Sequence, residues 1–276
     1  MINSKSKLAS IFWKNGKVKD CPVIDFHAHM GELAGGFIPK KSPEEMINLM
    51  NKANIALTCF CSHDSLFLPT LKHNKEIYTV SKYPDRFKAY LGVTSRYLNP
   101  QEDINLIKEN QEIFIGFKFL CDYYQIPLTD KRHKPYFEYA DEKELLILSH
   151  TWSNSKFNGI SQVKKVLNQY PNLIFLAGHS FKNDWEKAAE LAQKYSNLYL
   201  ELTAVLHERG VIEYFVKKVG SDRLLFGVDL PWFDYFHGIG AILSAEISDK
   251  DRRNILYLNG KKILKRFSWV NDVFQD

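Results

Sequence analysis

Val23-Ile24-Asp25-Phe26-His27-Ala28-His29 crowds β-branched and aromatic residues into one short run and closes it with two histidines. That composition predicts a strand. Downstream, Ser42-Pro43-Glu44-Glu45 opens a helix, with a capping serine, a first-turn proline and early acids. Similar apolar runs follow at residues 56–63, 87–93, 115–120, 145–151, 173–179, 198–204 and 224–229. Between them lie charged segments of helical period at 71–83, 101–110, 135–144, 161–170, 184–195 and 208–219, with a last helix expected from about 248 to 267. Eight strands, each followed by a helix, predict parallel pairing and closure into an α/β fold of the (β/α)8 TIM-barrel type. A doubly wound open sheet is the alternative topology.

The 276 residues sit near the roughly 250 typical of such a barrel. With 45% hydrophobic and 25% charged residues the chain is of ordinary globular type, which excludes disordered, collagen-like and membrane classes. No Pro/Gly/Ser-rich linker divides it, so residues 1–276 are read as one domain with 1–20 as a lead-in segment. The longer loops, 121–134 and 232–240, would lie at the mouth of the barrel. Cys21, Cys59, Cys61 and Cys121 have no Cys-x-x-Cys spacing, so a reducing, cytoplasmic compartment is expected and no zinc ribbon is indicated. The apolar island from Leu8 to Trp13 is too brief for a secretory segment, and no run approaches the ~18 residues of a membrane span. Lysines and arginines outnumber acids by 37 − 32 = 5 but are interleaved with them. Without a basic stripe a nucleic-acid partner is not expected, and a small-molecule substrate is.

His27 and His29 close the first predicted strand, His150 the fifth and His179 the sixth, and Asp229 closes the eighth. His27 and His29, two apart, share a strand face. A parallel barrel delivers the C-terminal end of every strand to one rim, so these five groups converge there although far apart in sequence. Each alone has a plain reading, as a satisfied core or surface imidazole, a strand end or a turn residue. Together they form a donor set for a divalent metal, Zn²⁺, Mn²⁺, Fe²⁺, Co²⁺ or Ni²⁺.

Ile24-Asp25-Phe26-His27-Ala28-His29, Gly116-Phe117-Lys118, Leu148-Ser149-His150-Thr151, Leu176-Ala177-Gly178-His179, Leu225-Phe226-Gly227-Val228-Asp229-Leu230-Pro231 and Ile255-Leu256-Tyr257-Leu258-Asn259-Gly260 together resemble the amidohydrolase-related (amidohydrolase 2) branch of the metal-dependent hydrolase superfamily. The resemblance runs collinearly from about residue 21 to 267. It implies a distorted barrel holding one divalent ion, commonly zinc, on His27, His29, His150 and Asp229, with His179 orienting or deprotonating the metal's water, or lying just outside the ligands. Lys118 occupies the position that bridges two metals when carbamylated in other relatives; in this branch it is usually unmodified. Barrels of this branch often pair as homodimers. One departure is local: many relatives follow that lysine with His-Pro, and this chain reads Phe119-Leu120-Cys121.

A divalent ion lowers the pKa of bound water from about 15.7 to near 7. Asp229 and His179 are then the catalytic residues: Asp229 takes the water's proton and returns it to the leaving group, and His179 hydrogen-bonds the water or the oxyanion. Hydrolysis of an amide, ester or lactone-like bond of a small molecule is the expected reaction. Decarboxylation of a carboxylated substrate is the alternative, with Arg96 or Arg132 as a specificity cation. His63, Trp152 and Trp232 are expected to line the substrate pocket, and Glu201 to support a ligating imidazole. His73, His133, His207 and His237 read as surface groups. No P-loop, dinucleotide-binding glycine motif or Gly-x-Ser-x-Gly elbow is present. A nuclease would need a basic path, and a non-catalytic barrel would be expected to have lost ligands.

Overall fold

Parallel strands must be joined by crossovers, and the helical segments between the apolar runs supply them. The computed structural model describes residues 6–33, 36–39, 41–68, 73–152, 154–206 and 208–274. Its strands are β1 (Val23–Met30), β2 (Ile55–Ser62), β3 (Phe87–Val93), β4 (Phe114–Phe119), β5 (Leu146–Trp152), β6 (Ile174–Lys182), β7 (Leu198–Glu201) and β8 (Leu224–Leu225). They pair in chain order, every neighbour parallel. This is the expected (β/α)8 barrel.

The eighth strand is shorter than the sequence predicts, because residues 226–230 leave β7 and pair with β1. The Phe26 amide donates to the Phe226 carbonyl (3.0 Å), the Asp229 amide to His27 (2.7 Å) and the His29 amide to Leu230 (2.6 Å). Asp229 itself has φ +62°, which interrupts a regular ladder. Buried Asp25 completes the seam, its Oδ1 accepting from the amides of His27 (3.0 Å) and Val228 (3.2 Å). Burial pushes this carboxyl well above its ordinary range.

Helix starts follow the local chemistry. Ser42 and Glu45 form a reciprocal capping box before the helix Pro43–Ala53. The lead-in segment is a helix, Lys7–Asn15, capped by Ser6 and buried through Leu8, Ala9 and Phe12. The expected loop at 232–240 is largely helical, Tyr235–Ser244. Residues 1–5 of the lead-in, the first two positions of the helix expected from 71, and His207 lie outside the described residues. His73 and His133 are buried, contrary to expectation. His133 Nδ1–H donates to the Leu128 carbonyl (3.1 Å) and its Nε2 accepts from Ser95 Oγ (2.9 Å).

One apolar cluster joins the outer strand faces to the helices, through Phe60, Leu91, Phe117, Phe175 and Leu200 among others. A second contains Ile24, Phe26, Leu57, Ile115 and Leu176, and the C-terminal residues Ile263, Leu264, Trp269 and Val270 pack onto it and close the base of the barrel. Among the described residues no helix is long and apolar enough to cross a membrane.

A candidate metal centre at the barrel mouth

In a regular strand, inward and outward side chains alternate. β5 and β7 keep that rule: Leu146 and Leu148 belong to the inner cluster and His150 follows, while Tyr199 is followed by Glu201. Three other strands break it just before a site residue. In β1, Ile24 and Phe26 are inner, the pairing with β2 is irregular between Asp25 and Ala28, and His27 and His29 then take the inward positions while Ala28 and Met30 pack outward. In β4, Ile115 is inner, Gly116 has φ +156°, and Lys118 faces in. In β6, Leu176 is inner and Ala177 outer, yet His179, at φ +69°, reaches the interior. Such irregularities re-aim side chains at active sites.

The re-aimed groups meet. One donor atom each of His27, His179 and Asp229 lies within 4.8 Å of the other two. Asp229 Oδ1 is 3.2 Å from His29 Nε2 and 3.6 Å from His27 Nε2. His27 Nδ1–H donates to Glu201 Oε2 (2.8 Å), and His29 Nδ1–H donates to the Cys61 carbonyl (2.9 Å). Both rings therefore turn an unprotonated Nε2 toward a carboxylate oxygen. Three acceptor atoms at this range suit a cation among them, a place that Lys118 Nζ, 2.6 Å from His27 Nε2, fills in part. Asp229 Oδ1 and His179 Nδ1 are moreover buried without a hydrogen-bond partner among the described residues, so the donor set fits a divalent ion.

His150 is placed differently. Its Nδ1–H donates to Asp122 Oδ1 (3.1 Å), and its ring meets that of His179 edge-on at 4.3 Å. The tightest triangle thus takes His179 rather than His150. Asp122 was not foreseen; it rides on a short helix, Cys121–Tyr124, directly after β4, where the chain departs from the His-Pro pattern. Lys118 is fully buried, and its Nζ donates to His27 Nε2 (2.6 Å).

Burial dominates the electrostatics. It lowers the pKa of His27, helped by Lys118, and lowers His179 well below the ordinary imidazole range, helped by the rings of His150 and His27. Burial also lowers Lys118. It works to raise Asp229, yet His27 and His29, when they carry a second proton, pull that carboxyl well below its usual range.

Above the centre opens a cavity of about 1020 Å³ with walls that include Leu66, Phe67, Tyr123, Trp152, Trp232 and Phe233. Trp152 stacks flat on His179, centroids 5.0 Å apart and planes 5° apart. His63 stacks on His29 at 5.3 Å and meets Trp232 edge-on. Its Nδ1–H donates to the Gly31 carbonyl, and burial with His29 nearby brings its pKa down to about 4. The three predicted pocket residues therefore line one space. Arg96 and Arg132 do not: both are exposed, and Arg132 is paired with Asp130.

A closed parallel barrel with a histidine–carboxylate cluster at the C-terminal ends of its strands defines an enzyme of the metal-dependent barrel class. The chain belongs to the amidohydrolase family, a metal-dependent family whose sequence profile matches residues 69–266. No curated protein matches the chain. Among solved structures, an uncharacterized TIM-barrel protein from Bordetella bronchiseptica is similar with a TM-score of 0.72 and 17% identity, over 89% of this chain and 99% of that one. A dihydroxybenzoic acid decarboxylase from Polaromonas sp. JS666, with bound manganese and the inhibitor 2-nitroresorcinol, gives 0.69 and 14% over 89% and 97%. A probable 2-pyrone-4,6-dicarboxylic acid hydrolase from Acinetobacter baumannii, with citric acid bound, gives 0.65 and 16% over 87% and 98%. At these identities the likeness is one of fold.

Proposed function

We propose that the protein is a metal-dependent hydrolase cleaving an amide, ester or lactone-like bond of a small molecule, with His27, His29, His150 and Asp229 holding one divalent ion. The observation that carries the reading is the convergence of Asp229 Oδ1 with the unprotonated Nε2 atoms of His27 and His29. Imidazole and carboxylate donors suit zinc, our choice of ion; manganese, bound in the Polaromonas enzyme, and Fe²⁺, Co²⁺ or Ni²⁺ accept the same donors. When bound, the ion supplies Lewis acidity and a water acidified toward pKa about 7.

The chain supplies the rest. The Asp229 carboxylate accepts the proton of the attacking water and returns it to the leaving nitrogen or oxygen as the scissile bond breaks. His179, its plane set by Trp152, offers one N–H and one lone pair to the reacting oxygen. The aromatic walls exclude water and orient an apolar substrate body. The buried, free cysteines support a reducing, cytoplasmic location, and we read the whole chain as one domain.

A second reading, decarboxylation, is favoured by the pairing of apolar aromatic walls with two lysines, Lys118 and Lys182, in the same cavity. Here the bond from carbon to the carboxylate breaks, CO2 leaves, and His179 or Asp229 delivers the replacing proton. Protein reloaded with one equivalent of Zn²⁺ or Mn²⁺, and the same protein stripped by a chelator, decide between the two. Lactones, esters and amides are scored for acid release beside aromatic and enoic carboxylates scored for CO2. Metal-dependent acid release is expected; CO2 release alone would demote hydrolysis.

Ligand roles are separated by two variants. His150→Ala is expected to lose the ion, whereas His179→Ala is expected to keep about one equivalent and lose 10²–10⁴-fold in turnover. The reverse pattern in metal analysis would exchange the roles of the two rings.

A further inference from the structure

The carboxylate of Glu201 is fully buried, and all of its acceptor capacity is used. Oε2 accepts from His27 Nδ1–H (2.8 Å) and from the His179 amide (3.3 Å). Oε1 accepts from the Thr203 amide (2.8 Å) and the Thr203 hydroxyl (2.5 Å). A carboxylate offers about four acceptor sites, so no substrate or water is left to engage this one. Space around it is filled as well: a Cβ at Gly227 would fall 1.9 Å from Glu201 Oε1 and 2.9 Å from the His27 Cβ. Glu201 is thus wedged against the chain two residues before Asp229.

We propose that Glu201 is a positioning residue that fixes two functional groups at once, the ring tautomer of His27 and the backbone of His179. The proposal rests on the metal-centre reading above for its functional meaning, but its structural content stands apart from it. Holding the proton on His27 Nδ1 leaves the Nε2 lone pair facing Asp229, as a metal donor requires. Lys118 Nζ, donating to that same Nε2, agrees with this tautomer. The second bond holds the amide of His179, whose φ of +69° is costly for a residue with a Cβ. One anion thereby ties β1, β6 and β7 together at the level of the centre.

Glu201→Gln keeps the shape and replaces one acceptor oxygen by an NH2 group. Both carboxylate oxygens meet a backbone donor, but the Thr203 amide is closer (2.8 Å against 3.3 Å for the His179 amide), so the glutamine oxygen stays at Thr203 and its NH2 faces His27 and the His179 amide. The ring answers by moving its proton to Nε2, where Lys118 Nζ gives up its donated hydrogen bond. The experiment is ¹⁵N NMR of the imidazoles in metal-free protein, with amide exchange at His179 and titration with Zn²⁺ or Mn²⁺ against a competing chelator. In wild type, His27 is expected to show a protonated Nδ1 and a bare Nε2, and the His179 amide to exchange slowly. In Glu201→Gln the tautomer is expected to switch, the amide to exchange faster, and metal affinity to fall 10–100-fold. Thr203→Val, which removes the hydroxyl donor alone, is expected to keep the wild-type tautomer.

A wild-type His27 protonated on Nε2 would overturn the proposal even if the glutamine variant failed to fold. So would a folded Glu201→Gln protein with unchanged tautomer and unchanged affinity. Wild-type protein that bound neither ion would overturn the metal reading, and the tautomer measurement would still decide for or against Glu201.

Discussion

Asp229→Asn is expected to remove the bound ion and to lower turnover by about 10³-fold or more. The reasoning is local. Asp229 Oδ1 lies 3.2 and 3.6 Å from two unprotonated imidazole nitrogens, and it supplies the negative charge of the cluster at that point. The amide of asparagine has the same shape but no charge, and its NH2 group can turn toward His29 Nε2 and satisfy it without a metal. The variant therefore removes a ligand and a proton acceptor together. The backbone should be spared, since the Asp229 amide still donates to His27 and closes the barrel seam. Metal analysis beside a thermal melt checks both halves: a folded variant retaining a full equivalent of ion would show that Asp229 is not a ligand.

Gly116→Ala is expected to destabilise the fold by at least about 3 kcal/mol, read as a lower urea midpoint or as failure to accumulate folded protein. A Cβ at this position would sit 1.7 Å from the Leu146 carbonyl oxygen and 2.6 Å from its carbonyl carbon, both backbone atoms of the neighbouring strand. Relief requires β4 and β5 to part, because no side chain can swing away. The same glycine precedes the inward turn of Lys118, so a variant rescued by added stability should still show a displaced lysine. A wild-type midpoint would mean that the β4–β5 register is looser than these distances allow.

Most of the architecture was legible because the apolar runs carry their own strand signal, although the seventh, expected over 198–204, forms a strand only from Leu198 to Glu201. The eighth was misjudged in length since its partner changes: 226–230 bond to β1, a tertiary fact with no local trace. The helix Tyr235–Ser244 was hidden by Gly238 and Gly240, which weaken a helical reading. Asp234 caps it, and burial of Ile239, Ile242 and Leu243 sustains it. At the centre, counting strand ends gathered the five donor residues. It did not anticipate that three strands would break alternation, because a bulge or a positive φ at His179 has no signature in residue type. Asp122 escaped for a related reason: a carboxylate on a short loop helix resembles any surface acid until the fold brings His150 beside it.

The sealed floor made by Ile263, Leu264, Trp269 and Val270 has a kinetic consequence. With that end filled, reactant and product would both pass by the barrel mouth as the described residues shape it. A departing product that lingers blocks the next arrival, so it will act as a competitive inhibitor, and residence in this cul-de-sac can set the pace of the cycle as readily as bond breaking does.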